Sequence, residues 1–260
     1  MKKAVLFDLD DTLVPEFANY GSAFAAACEE LARNEDVDVE RLRAAVFDAA
    51  LNAWRASPVI AYCRQARLGF AQGLLSDFPG DAPELDYLRG WAPAYRRAAW
   101  TRGLAAVGLE SEPFADQLAE AFRARLAAQC PPFDDVVGAL EALRGAYALA
   151  VISNGPVDVQ RLKLRVAGIE RFFPIVVTSG EVGFGKPHER IFAAALEALG
   201  VSADEAVMVG DHLERDIHGA RRLAISGIWL NRSAVATAAG VDPAVEIASL
   251  SELAGALAAI

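Results

Sequence analysis

The stretch that decides the fold is Ala4–Val14, AVLFDLDDTLV. Four apolar residues run into Asp8, Asp10 and Asp11, and Thr12 follows. A short run that is apolar throughout, rather than alternating, suits a strand of a parallel sheet covered on both faces. In open α/β sheets ligands bind beyond the carboxyl ends of such strands, which is where Asp8 falls. Three neighbouring carboxylates repel one another unless a cation or a proton separates them. The plain alternative is an acidic turn that starts a helix, since Asp and Thr are common caps.

Four later runs have the same character: Tyr147–Ile152, Pro174–Thr178, Ala206–Val209 and Gly227–Leu230. Between them lie helical stretches. Val157–Val166 closes at Gly168, and His188–Leu199 has Pro187 at its first helical position and Gly200 past its end. Asp216–Leu223 is the third, and residues 244–260 hold a further short strand and a closing helix. This alternation predicts an α/β fold with a Rossmann-like, doubly wound parallel sheet. Residues 16–130 differ. They are alanine-rich, with Arg, Glu and Leu at helical spacing, as in VERLRAAVFDAALNAWRA (39–56), and contain no convincing strand. The expected organisation is a core of residues 1–15 and 131–260, with an all-helical domain of residues 16–130 inserted after the first strand.

Composition narrows the class. With 260 residues, 54% of them hydrophobic, the chain can bury a substantial core. A net charge of −10 disfavours nucleic acid and anionic lipid as partners. Cys28, Cys63 and Cys130 are odd in number and lack CxxC spacing, which argues for a reducing compartment with no disulfide frame and no zinc site. The apolar run at the start is too short for a secretory signal, and no run approaches a membrane span. A cytoplasmic protein is expected, as a monomer or a homodimer.

The other strand ends carry polar residues too. Ser153-Asn154-Gly155-Pro156 follows the second strand and can present donors to an anion, or can be an ordinary turn. Lys186 stands in GFGKPHERIF just before a helix, a position the helix dipole disfavours for a cation and an anionic partner would explain. GDHLERDIHGA follows the fourth strand, with Asp211 at its end and Asp216 at the start of the next helix. Asp8, Asp10, Ser153, Lys186, Asp211 and Asp216 thus gather at one edge of the sheet. Carboxylates with free water positions suit Mg²⁺, and a lysine adds positive charge, the outline of a phosphoryl-transfer site.

The ordered set DLDDTL, ISNG, GKPHERIF and GDHLERDIHGA resembles the four motifs of the haloacid dehalogenase superfamily, most closely its phosphatases with a helical cap after the first motif. The resemblance implies Mg²⁺ and an aspartyl-phosphate intermediate in the hydrolysis of a small phosphomonoester. By it, Asp8 is the nucleophile and a metal ligand. Asp10 is general acid and then base, its main-chain carbonyl on the metal, with its pKa raised by crowding from Asp8 and Asp11. Thr12 supports the turn and Asp10 in the phosphate-binding set, Ser153 and Asn154 hold the phosphoryl group, and Lys186 offsets its charge. Asp211 ligates Mg²⁺ and Asp216 acts behind it. A phosphomutase shares every core residue. A haloacid dehalogenase needs neither Mg²⁺ nor Asp10, and a non-catalytic phospho-acceptor needs no helical cap.

In the insertion, Trp91, Tyr95, Arg96, Arg97, Trp100 and Arg102, with Trp54 and Arg55, are read as aromatic packing and solvated arginine rather than a substrate subsite. His188, His212 and His218 lack metal spacing and are read as supporting or surface residues.

Overall fold

The computed structural model describes residues 1–31, 37–109, 111–235 and 243–260. Six strands, β1 (Ala4–Phe7), β2 (Ala148–Ser153), β3 (Ile175–Thr178), β4 (Ala206–Gly210), β5 (Ser226–Leu230) and β6 (Val245–Ile247), form one sheet. Their order is β3-β2-β1-β4-β5-β6, and every pairing is parallel. β1 is central: Phe7 stands opposite Val151 of β2 and Val209 of β4. The direction of winding reverses between β1 and β4, so the crevice beyond their carboxyl ends is the place where such sheets bind ligands.

The continuous apolar runs follow from burial on both faces. Along β1, side chains alternate. Val5 and Phe7 join a core with Val136 and Leu140 of α7 (Val136–Leu143), Leu164 of α8 (Val157–Val166), and Leu253 and Leu257 of α12 (Leu253–Ala258). Ala4 and Leu6 join the other core, with Ile191, Phe192 and Ala195 of α10 (Glu189–Leu199). Gly168 (φ +70°) and Gly200 (φ +66°) take the left-handed backbone just past α8 and α10, as the sequence predicts for glycine stops.

Between β1 and α7 lie α1 (Glu16–Leu31), α2 (Val39–Arg55), α3 (Ile60–Gln65), α4 (Phe70–Gly73), α5 (Pro83–Ala106) and α6 (Glu112–Ala128). These helices and the loops between them have their own apolar core, which among the described residues takes only Val159 from outside residues 16–130. Phe24 stacks on Trp100 with ring centroids 4.9 Å apart, Phe122 packs against both, and Trp54 packs on Tyr95 in the same core. Gly103 of α5 lets α2 approach closely, since a Cβ there would fall 2.2 Å from Val46 Cγ2. The aromatic residues are packing, as expected. Trp91 stacks against Tyr95, Arg55 and Arg102 are exposed, and Arg97 pairs with Asp116 on the surface. Arg96 departs from the expectation of solvation: it is buried, bonded to Asp77 and the Ser76 carbonyl.

Two local expectations are corrected. α10 starts at Glu189, not His188, because the His188 side chain caps it by accepting from the Arg190 amide; Pro187 precedes the cap. Asp216 does not open an α-helix. It sits inside a π-helical turn, Leu213–His218, capped by His212 and followed by α11 (Gly219–Arg221). The short α9 (Ser179–Val182) leads from β3 towards Lys186. All three cysteines are free and buried, and no described helix is long and apolar enough to cross a membrane.

Candidate active site

Asp8 follows β1, and the Asp8 amide donates to the Val209 carbonyl of β4 at 2.9 Å. The chain then turns sharply, with the amides of Leu13 and Val14 donating to the Leu9 carbonyl and Asp11 at φ +60°. Asp is among the few side chains that tolerate that backbone. The turn folds Thr12 back beneath β1. Its hydroxyl accepts from the Asp211 amide at 3.1 Å and lies 3.4 Å from carboxylate oxygens of both Asp8 and Asp211. Thr12 is fully buried and outside the cavity lining, so it supports Asp8 and Asp211 rather than Asp10 or phosphate.

Lys186 is only 2% exposed. Its Nζ lies 2.5 Å from Asp8 Oδ1 and 2.7 Å from Asp216 Oδ1. Burial pulls the ammonium pKa down, but Asp216 and Asp8 outweigh it and the net shift is upward, so the lysine stays charged. The lysine lies just before a helix, as the sequence suggests. It stands three residues before α10, drawn in by carboxylates.

Asp8, Asp211 and Asp216 present oxygens within 4.8 Å of one another. Burial first, then the charges of Asp8 and Asp216, push Asp211 up to about 8. Asp216 rises to about 6, chiefly by burial, though Lys186 opposes it. A divalent cation would relieve this crowding. The donors are all hard oxygens, which suits Mg²⁺, Mn²⁺ or Ca²⁺ and not a soft metal. Asp216 already has both oxygens engaged, one by Lys186 and one by the His212 amide at 3.0 Å. Asp10 does not bring its carboxylate to this group, so its main-chain carbonyl is all it has to offer a metal there.

The Asp10 side chain turns instead to α8. Lys163 Nζ lies 2.6 Å from Asp10 Oδ1 and 2.7 Å from Glu16 Oε1, and Gln160 Nε2 donates to Asp10 Oδ2 at 2.9 Å. Asp10 is lifted to about 7 by burial and then by Glu16, against the pull of Lys163. Asp8 and Asp11, the neighbours the sequence suggests as the cause, are not among the largest contributions. Glu16 moves the other way: burial raises it, but Lys163 overrides and holds it low. Glu16 thus takes the charge in the pair with Lys163, and Asp10 takes the proton.

Ser153 ends β2 and faces the cavity, its hydroxyl accepting from Gln160 Nε2 at 2.5 Å. The Asn154 carboxamide accepts from the Lys186 amide at 2.7 Å and donates to the Lys186 carbonyl at 3.2 Å, so it fixes the lysine loop while lining the cavity. The Gly155 amide is likewise spent on Ser179 Oγ, at 2.8 Å.

Asp8, Asp10, Ser153, Asn154 and Lys186 line one cavity of about 370 Å³, with Glu16, Tyr20, Phe47, Arg67, Phe70 and Gln72 opposite, from the inserted helices and their loops. Gln160, Lys163 and Glu16 are absent from the sequence expectations. The signal available was two polar residues, one turn apart, on the α8 face that also carries Val159 and Leu164.

Residues 2–223 match the haloacid dehalogenase-like hydrolase family. A phosphoserine phosphatase of Thermus thermophilus is 34% identical over 252 residues, covering 96% of this chain and 97% of that protein. A glyceraldehyde 3-phosphate phosphatase of Methanopyrus kandleri is 30% identical over 234 residues, covering 89% and 85%. A solved 2-haloacid dehalogenase from Pseudomonas syringae superposes with a TM-score of 0.67 at 28% identity, covering 99% of each chain. The chain belongs to the haloacid dehalogenase-like hydrolase family, and it is an enzyme of that class.

Proposed function

We propose that the protein hydrolyses small phosphomonoesters through an aspartyl-phosphate on Asp8, with Mg²⁺ held by Asp8, Asp211 and the Asp10 main-chain carbonyl. The observation that carries this reading is Asp10: a carboxyl lifted to about 7 lines the same cavity as Asp8. An alkoxide leaving group needs a proton, and a carboxyl kept neutral near pH 7 is the device that supplies one. The similarity to two phosphatases across most of their length supports it.

The residues divide the work as follows. Asp8 attacks phosphorus while the alkoxide leaves and takes the Asp10 proton. Lys186, bonded to Asp8, offsets the charge gathered on the phosphoryl oxygens, and Ser153 holds one of them. Asn154 keeps Lys186 in place. Asp10, now ionised and steadied by Lys163, removes a proton from the water that attacks the phosphorylated Asp8. Mg²⁺, when bound, neutralises phosphoryl charge and orients the ester for in-line displacement. Residues 1–15 and 131–260 form the catalytic core in this reading, and residues 16–130 a cap that closes over it and excludes water.

The likeness to a 2-haloacid dehalogenase gives a second reading. Displacing halide needs no proton donor and no cation cluster, so Asp10 and the Asp8–Asp211–Asp216 group would have no task there. Incubation with p-nitrophenyl phosphate and with 2-chloropropionate separates the two. The phosphatase reading predicts Mg²⁺-dependent release of nitrophenolate and no chloride; chloride release without nitrophenolate would reverse the assignment.

A further inference from the structure

Gln160, on the buried face of α8, is fully enclosed and does not line the cavity. Its carboxamide nevertheless bridges two residues that do. Nε2 donates to Asp10 Oδ2 at 2.9 Å and to Ser153 Oγ at 2.5 Å, one acceptor for each of its two N–H groups. The Asn154 carbonyl lies farther off, at 3.5 Å, and already accepts from Gln72 Nε2 at 3.1 Å. Having accepted from Gln160, the Ser153 hydroxyl keeps its own hydrogen for the cavity that Ser153 lines. Asp10 has Oδ1 held by Lys163 and Oδ2 by Gln160, which stops the carboxyl from turning about its bond. Gly155 makes room for the arrangement: its φ is +149°, and a Cβ there would come within 3.1 Å of Gln160 Cδ. The other end of the carboxamide gains nothing. Gln160 Oε1 is buried and meets no donor among the described residues, a penalty that an apolar side chain of the same shape would not incur. Stability alone therefore does not account for a glutamine here.

We propose that Gln160 is a positioning residue: it fixes the Ser153 hydroxyl and the Asp10 carboxyl relative to each other, so that the phosphoryl group and the departing oxygen are held for the same displacement. The inference rests on the phosphomonoesterase reading and adds to it a residue that acts only through others. Ser153 closes β2, whereas Asp10 lies in the turn after β1. Each can shift with its own segment, and a shared donor makes the two move together. Transfer between aligned groups is sensitive to such shifts, since a misplacement of about 1 Å can cost about 10²-fold in rate.

Gln160→Met keeps the length of the side chain and removes both donors. Its single-turnover kinetics on the intact protein with Mg²⁺ isolate the first displacement and test the proposal. The two esters are p-nitrophenyl phosphate, whose phenolate leaves unaided, and 2-phenylethyl phosphate, whose alkoxide needs a proton. The saturating rate is expected to fall about 10-fold for the aryl ester, through Ser153, and about 100-fold for the alkyl ester, through Ser153 and Asp10 together. Placed on Asp10→Asn, Gln160→Met should no longer discriminate between the esters. Placed on Ser153→Ala, it should no longer slow the aryl ester. A residue that only packs the core would lower the melting temperature and cost the same factor on both esters in every background. That result, or wild-type rates in Gln160→Met, overturns the proposal and leaves the phosphatase reading intact. A wild type that cleaves neither ester removes both. Gln160→Asn keeps a carboxamide but draws it back by one methylene. It is expected to match Gln160→Met, and it carries the same test if the methionine variant does not fold.

Discussion

Asp10 and Asp8 are two residues apart and stand in different surroundings. Asp8 lies against Lys186, whereas Asp10 is buried beside Glu16, with Lys163 shared between them. Loss of the Asp10 proton should matter in proportion to the basicity of the leaving group. Asp10→Asn is expected to lower kcat/KM for an alkyl phosphate about 10²–10⁴-fold more than for p-nitrophenyl phosphate, whose phenolate leaves unaided. Equal losses on the two substrates would make Asp10 a structural residue. Thr12 and Asn154 illustrate the limit of motif reading at this scale. Both belong to the motifs, and their side chains hold Asp211 and the Lys186 loop, although Asn154 also lines the cavity.

At the scale of elements, α8 does what no motif announced. Its buried face carries Lys163, 1% exposed, between Asp10 and Glu16, whose side chains are 16% and 18% exposed. Lys163→Met leaves two half-buried acids without their buried cation and should cost about 3 kcal/mol in urea unfolding, the lower end of what breaking a buried pair costs. Removing the exposed Arg43–Glu40 pair should change stability by less than about 1 kcal/mol. A Lys163→Met loss as small as that would mean the network carries no structural weight. The strand ends were legible because Asp8, Ser153 and Asp211 each lie within a few residues of an apolar run, and Lys186 stood out by its place just before a helix. The second rank was not, because Lys163 and Asp10 are 153 residues apart and a lysine on a helix ordinarily reads as solvated. The helical insertion was legible from its periodicity. The π-turn around Asp216 was not, since nothing in LERDIH separates it from an ordinary helix start.

Across the whole molecule the clustered acids set a pH dependence. In the folded protein Asp211 titrates near 8 and Asp10 near 7, against roughly 4 for an unfolded carboxylate. Between those values the folded state binds more protons than the unfolded state, so its stability falls as pH rises. The upward shifts of Lys163 and Lys186 act only above their ordinary range, and the downward shifts of Glu16, Asp77 and Asp135 act only in acid. The metal-free protein should therefore melt at a lower temperature at pH 8 than at pH 5, and Mg²⁺ should raise the melting temperature more at pH 8. A flat profile, or a larger Mg²⁺ effect at pH 5, would contradict the crowding. The central claim is the covalent intermediate on Asp8. Acid-quenching the protein during Mg²⁺-dependent turnover of p-nitrophenyl phosphate, reducing it with borohydride and mapping the modified peptide by mass spectrometry tests this most directly. The account predicts modification at Asp8, abolished in Asp8→Asn along with turnover. Turnover that persists in Asp8→Asn, or modification at any other residue, would contradict it.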